Sequence, residues 1–374
     1  MSAMTAACVP LTRPYVDNAE AAAAAAALAS GFVVQGPRVQ AFEQRVAAWV
    51  GTRHALAVSS ATAGLHLALA ALGIGPGDEV LVPSFTFPAT GNVVLHLGAH
   101  PVLVDVRTDD HSIDVDDARR KVTSRTRAVM PVDPFGLPYD VDGIARLATE
   151  HGLAIVEDAA CAIGASLDGR QAGGFGTIGV FSFHGRKIIT TGEGGMIVTN
   201  DDDLAERLGR LRNHGAQRDG RRLRFVEPGF NYRMSDIAGA IGVAQMGKLE
   251  DIVAQRRSLA ARLTAHLATV PGLIAQAEPS GRVHAYQSYV VLLDPDIDRD
   301  GVVESLKEQG VESTIGTYAL HMEPVFQRLG YRDDDLPGAR VLAEHSLTLP
   351  LFPGMSDAEL NQVVTAVEDV VHKG

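Results

Sequence analysis

Between residues 50 and 200 the chain alternates short β-branched runs with helical stretches, and few folds accommodate that alternation. Strands are expected over 55–59, 79–82, 101–106, 127–132, 153–157, 179–183 and 195–199, with helices over 62–72, 90–97 and 140–150. Strands separated by helices pair in parallel, because a parallel neighbour is reached only through a crossover. The expectation is an α/β domain whose mixed, mostly parallel sheet is flanked by helices. Ligands of such sheets gather at the carboxyl ends of the strands. No repeat of fixed period is present.

The pattern changes after a helix expected over 235–255. A strand over 286–293 and a helix over 300–309 follow, and the chain closes on a helix over 357–371. A length of 374 residues favours two domains. Residues 1–250 are assigned to a large domain that includes the N-terminal segment, and 251–374 to a smaller α+β domain. The alanine-rich stretch 19–29 is too short and too weakly apolar to span a bilayer. Asp17 and Asn18 offer it an N-cap and Gly31 a stop, so it reads as a helix in water.

Residues 1–14 lack the basic head and apolar core of a secretory leader. The two cysteines, Cys8 and Cys161, are too few for a disulfide framework or a cysteine-based zinc site, and they suit a reducing cytoplasm. A formal net charge of −12 argues against a nucleic-acid partner. Neither a metal nor a membrane partner is expected.

Four segments carry chemistry. Phe181-Ser182-Phe183-His184-Gly185-Arg186-Lys187 follows a strand and enters Thr190-Thr191-Gly192-Glu193-Gly194-Gly195. A lone lysine after a strand is ordinarily a surface residue. Here two aromatics, a hydroxyl and a glycine-rich turn describe a tight site where an amine could attack an aldehyde or move a proton. Asp158 stands at the carboxyl end of a buried strand, where an Asp ordinarily caps the next turn. Ser59-Ser60-Ala61-Thr62-Ala63-Gly64 lies between strand and helix, and it could cap that helix or cradle an anion. Phe87, in Pro83-Ser84-Phe85-Thr86-Phe87-Pro88, is either core or a surface for a flat ring. A lysine, an acid, an anion cup and an aromatic face are together what pyridoxal phosphate requires: a Schiff-base amine, a partner for the pyridine nitrogen, a phosphate site and a stacking surface.

On these residues the chain resembles the DegT/DnrJ/StrS sugar aminotransferases, a branch of the fold-type I pyridoxal-phosphate enzymes. The likeness runs from Gly31-Phe32-Val33-Val34-Gln35-Gly36-Pro37 through Val156-Glu157-Asp158-Ala159-Ala160 and the Lys187 segment. It continues in Gly229-Phe230-Asn231-Tyr232-Arg233-Met234, Tyr318-Ala319-Leu320-His321 and Leu349-Pro350-Leu351. The resemblance implies a homodimer with active sites at the interface. It implies that Lys187 is the Schiff-base lysine, Asp158 the pyridine partner and Phe87 the stacking aromatic. Ala61, Thr62 and Ser182 match phosphate contacts, and Asn231 a residue that reaches the phosphate from the partner subunit. Tyr318 and His321 fall where relatives line the sugar pocket. Many relatives carry Gln or His at Cys161, against the cofactor's ring hydroxyl, and a thiol is a weaker donor. Taken alone, Cys161 reads as a small buried hydrophobe. A histidine is common where Asp133 stands, which points to a different substrate pocket.

The implied reaction is a two-stage transamination. Glutamate gives up nitrogen, leaving 2-oxoglutarate and the pyridoxamine phosphate form, and the reverse sequence aminates a ketone. The expected acceptor is a 4-keto-6-deoxy sugar on a nucleotide. Arg210, Arg212, Arg218, Arg221, Arg222 and Arg224 cluster between Lys187 and Asn231. They form either a solvated loop or, at Arg221, Arg222 or Arg224, a clamp for a diphosphate. An aminocyclitol aminotransferase would share this machinery. A sugar dehydratase of the family would carry histidine in place of Lys187. A regulator without turnover would need a DNA-binding module.

Overall fold

The computed structural model describes residues 8–371; residues 1–7 and 372–374 lie outside it. The chain begins with α1 (Asn18–Ala29), α2 (Pro37–Val50), β1 (His54–Val58), α3 (Ala61–Ala71), β2 (Glu79–Pro83), α4 (Ala89–His96), β3 (His100–Val104) and α5 (Val115–Lys121). It continues through β4 (Thr126–Val129), α6 (Val141–His151), β5 (Ala154–Asp158), β6 (Ser166–Leu167), β7 (Arg170–Gln171), β8 (Ile178–Ser182), β9 (Gly195–Thr199) and α7 (Asp202–Leu211). A hairpin of β10 (Ala216–Asp219) and β11 (Arg222–Phe225) leads to α8 (Asp236–Met246) and α9 (Leu249–Leu267). The remainder is β12 (Leu273–Ala275), β13 (Arg282–Val283), β14 (Tyr289–Leu293), α10 (Arg299–Glu308), β15 (Thr314–Ile315), α11 (Pro324–Gln327), α12 (Pro337–His345), β16 (Ser346–Leu349) and α13 (Asp357–Val371).

Seven strands form the main sheet in the order β1-β9-β8-β5-β4-β2-β3. From β3 to β8 every pairing is parallel. Strand β9 runs antiparallel to both β8 and β1. Its connection from β8 contains no helix, and without a crossover the chain returns beside its neighbour in the opposite sense. That return loop carries Lys187. Strands β2, β8 and β9 are buried throughout, as expected of a sheet covered by helices on both faces.

The alanine-rich segment is α1, closed at its start by a capping box. Asp17 accepts from Ala19 N, and Glu20 accepts from Asp17 N. The single helix expected over 235–255 is instead two, α8 and α9, broken at Gly247 and Lys248. Glycine is a poor helix interior residue, and the break turns Lys248 to pair with Asp17 and Glu20 at the start of α1.

A four-stranded antiparallel sheet, β12-β14-β16-β15, packs a second core against α9, α10 and α13. A domain boundary near residue 250 is our proposal. Helix α9 places Leu249 and Ile252 in a cluster of the first unit, and Leu259, Leu263 and Leu267 in the second core. Val9 also packs in that second core, pairing with Gly310 and Glu312, although the N-terminal segment is grouped above with the large domain. Among the described residues no helix is long and apolar enough to cross a membrane.

Candidate active site

The carboxylate of Asp158 is buried at the end of β5. Thr90, in the first turn of α4, donates its hydroxyl to Oδ2 at 2.8 Å, and Ala160 N donates to Oδ1 at 3.2 Å. Thr86 and Thr90 share a further hydroxyl contact of 3.1 Å. Burial lifts the Asp158 pKa above the ordinary carboxylate range, while Thr90, Ala160 and the charge of Lys187 pull the other way. The balance leaves an acid that would ionise more readily with a cation opposite it.

Lys187 sits in the return loop between β8 and β9. The loop is laced by Phe183 N to Gly194 O, Thr191 N to Phe183 O and Lys187 N to His184 O, each 2.9 Å. Ile188 and Ile189 anchor it in the core. Glycine is required at Gly195, where a Cβ would meet Ser60 C at 2.6 Å and Ala61 N at 2.7 Å. Strand β9 can therefore press directly against the start of α3. Lys187 Nζ donates to Cys161 Sγ at 3.0 Å. Cys161 is thus not a wholly buried hydrophobe but a half-buried thiol touching the candidate catalytic amine.

Ser60 caps α3 by accepting from Ala63 N at 3.1 Å. The N–H groups of Ala61 and Thr62 belong to the first turn, which has no intrahelical acceptors, and they face outward at the positive end of the dipole. Ser182 pairs with Gly195, so its hydroxyl lies just across that glycine from the helix start. Phe87 is 64% exposed, an apolar ring with Tyr318 edge-on at 6.3 Å. Tyr318 O accepts from Thr86 N at 2.9 Å, which ties the two aromatics together. An amine, a buried acid short of a cation, an uncovered aromatic face and an anion-ready helix start fit pyridoxal phosphate group by group.

Other expected residues are placed differently. Asn231 is exposed, and no contact among the described residues joins its side chain to Lys187 or Asp158. His321 is 2% exposed and shares a proton between Nδ1 and Ser84 Oγ at 2.8 Å, so it lies beneath the Tyr318 loop rather than in the open. Asp133 is fully buried beside Glu157, so its side chain opens on no pocket. The arginine cluster divides. Arg210 pairs with Glu206 and Glu227, and Arg212 with Glu43. Arg224 pairs with Asp219 at 2.9 Å. Arg221 and Arg222 are exposed on the hairpin with no ion pair among the described residues. Thr90 was not singled out from the sequence. It stands 68 residues from the acid it orients, and its place two residues after Pro88 signals only a helix start.

A model described as the DegT/DnrJ/EryC1/StrS aminotransferase family matches residues 14–368. The spore coat polysaccharide biosynthesis protein SpsC of Bacillus subtilis (strain 168) is 36% identical over 379 residues, 97% of each chain. The structure of the aminotransferase TlmJ from Streptoalloteichus hindustanus is similar with a TM-score of 0.92 and 35% identity, covering 98% of this chain and 99% of that one. Spr1654 from Streptococcus pneumoniae, in its PMP form, is similar with a TM-score of 0.94 and 26% identity over 98% of both chains. Its PLP form has the same TM-score.

Proposed function

Because the chain belongs to the DegT/DnrJ/EryC1/StrS aminotransferase family, we propose that it moves an amino group from glutamate to a nucleotide-linked keto-deoxy sugar, specifically a 4-keto-6-deoxyhexose. The enzyme is a pyridoxal-phosphate-dependent sugar aminotransferase. Donor, acceptor and assembly are our inference.

Lys187 would hold the cofactor through Nζ, and Asp158 would hold the proton on its pyridine nitrogen. Ala61, Thr62 and Ser182 would take the phosphate, Phe87 the ring face, and Cys161 the region beside Lys187. When bound, pyridoxal phosphate supplies a conjugated ring that accepts the electron pair of a broken Cα–H bond. Lys187 Nζ acts as the base that takes the donor's α-proton and as the acid that returns it. Thr90 fixes the orientation of Asp158 through Oδ2, so that the carboxylate's charge is preorganised rather than recruited.

The observation that favours a nucleotide-linked acceptor is Arg221 and Arg222, without an ion pair among the described residues, on an exposed hairpin of an acidic chain. Guanidinium forks match phosphate oxygens, and a diphosphate offers several. Tyr318 would contact the sugar, with His321 supporting it from below. A homodimer is supported by the exposed apolar residues Phe32, Val33, Val34, Leu223, Phe225 and Val226. In that assembly the exposed Asn231 would reach the phosphate held by the second copy. A reducing cytoplasm suits the two free cysteines.

The test is to incubate the pyridoxamine form with nucleotide-linked 3-keto and 4-keto sugars, free keto sugars and ketocyclitols. Return of the pyridoxal absorbance reports amination. The nucleotide-linked 4-keto-6-deoxyhexose should react fastest, and faster turnover of a ketocyclitol would replace this acceptor.

A further inference from the structure

Behind Asp158 lies a second pair of acids that the reaction does not use. Asp133 follows β4, Glu157 precedes Asp158 on β5, and both are fully buried. Glu157 is well supplied with donors. Gly173 N donates to Oε1, and Phe175 N donates to Oε2 at 2.9 Å. Asp133 has only Tyr139 N, which reaches Oδ1 at 3.1 Å across a turn that holds Phe135 at φ +57°. As an anion, Asp133 would leave Oδ2 buried without a partner. As an acid, it can donate from that oxygen to Glu157, and the two side chains are within hydrogen-bonding reach.

We propose that Asp133 and Glu157 share one proton, carried on Asp133 Oδ2 and donated to the Glu157 carboxylate, and that this pair positions the strand end presenting Asp158. The amide count decides which partner is the anion. Two N–H donors, one on each oxygen, stabilise a carboxylate at Glu157, whereas Asp133 has one. Burial raises both carboxyls; Glu157 raises Asp133 further, whereas the hydrogen bond from Asp133 lowers Glu157, so the proton is retained on Asp133 and the charge on Glu157. The other groups facing the pair are Tyr139, whose buried hydroxyl has no hydrogen-bond partner among the described residues, and Asp158. Arg170 acts on Tyr139 from beside the Phe175 ring, and Lys187 lies beyond Asp158. With both acids ionised, three anions would crowd one strand end. Sharing the proton leaves two.

The link to Asp158 runs through the main chain. Asp133 N donates to Asp158 O at 3.1 Å, and Asp158 N donates to Pro131 O at 2.9 Å. A side-chain bond at Asp133 therefore holds the peptide that aims the Asp158 carboxylate. Asp133 and Glu157 are positioning residues.

Three measurements on the full-length holoenzyme test this. Infrared difference spectra at neutral pH should contain the carbonyl stretch of an un-ionised carboxylic acid that Asp133→Asn abolishes. Because the folded pair holds a proton that the unfolded chain releases, its stabilisation is full at low pH and lost as pH rises through the pair's titration. Wild-type denaturant midpoints should therefore fall on the alkaline side, and Asp133→Asn, whose amide donates without titrating, should show a flatter slope. Asp133→Ala should lower kcat, and Asp133→Asn should recover most of that loss. Glu157→Gln should be the more damaging exchange, since its amide nitrogen would face the Gly173 and Phe175 donors. Survival of the infrared band in Asp133→Asn, or parallel pH slopes in the two proteins, would overturn the proposal even if Glu157→Gln fails to fold.

Discussion

Lys187 Nζ and Asp158 Oδ2 are held by different elements, and each has its own test. Replacing Lys187 with Ala should abolish turnover while leaving the far-ultraviolet circular dichroism unchanged, because Ile188 and Ile189 rather than Lys187 anchor the loop. Borohydride should then no longer fix the cofactor to the chain, and measurable transamination would remove Lys187 from its role. Asp158→Asn keeps the Thr90 contact but loses the charge, so kcat should fall by about 100-fold or more, as for other preorganised charge contacts. Near-normal rates would mean that a different carboxylate faces the ring. The strand-end place of Asp158 was legible in sequence, and so was the Lys187 loop, through a glycine run in which Gly195 permits close backbone approach. Thr90 was not, since nothing local to a helix start reveals an acid on another strand. His321 was legible as a position but not as a buried one: its burial depends on Ser84, 237 residues away in the chain.

The hairpin β10–β11 converts a run of arginines into geometry. Its register pairs Asp219 with Arg222 and Gln217 with Arg224, so Arg222 and Arg224 lie on one face and Leu223 and Phe225 on the other. Gly220, at φ +62°, makes the two-residue turn that places Arg221 at the tip. Alanine at Arg221 or Arg222 should cost about 1.5–3 kcal/mol in kcat/KM for the nucleotide sugar. Arg224→Ala should cost less, because its charge is already partly satisfied by Asp219. The glutamate half-reaction contains no diphosphate and should be unaffected at all three positions. Equal losses in both half-reactions would instead indicate damage to the fold. The Asp219-Gly220 turn signal was present in the sequence but obscured by charge, which ordinarily means a solvated loop. The seven main strands were legible within a few residues because each is a compact apolar run between turn residues. Helix α2, with Pro37 at its first turn, and α7, capped by Asp201, went unassigned although their caps follow ordinary rules.

Across the whole molecule, a polar seam joins the loop after β3 to the segment before β14. Arg282 pairs with Asp110 at 2.8 Å, Gln276 Nε2 donates to Asp110 O at 2.8 Å, and His284 Nε2 lies 3.1 Å from Gln276 Oε1. Burial pushes His111 down to about 4 and His284 down to about 3. Both values lie below the ordinary histidine range, so the stability these neutral rings contribute is present above about pH 6.5 and lost as pH falls toward them. Each ring should cost about 1.4 kcal/mol per pH unit across that window. Denaturant midpoints at pH 7 and pH 5 should differ accordingly, and a His284→Gln variant should narrow the difference; identical wild-type midpoints would refute it. Such seams are illegible in sequence because they join residues more than 160 positions apart. The same holds for Val9, whose partners Gly310 and Glu312 lie three hundred residues downstream. During synthesis Val9 leaves the ribosome some three hundred residues before these partners and must wait, unpaired, until they have emerged. The smaller core thus closes late, and a fragment starting after residue 16 would keep Lys187 and Asp158 yet lack the segment around Val9 that packs in that core.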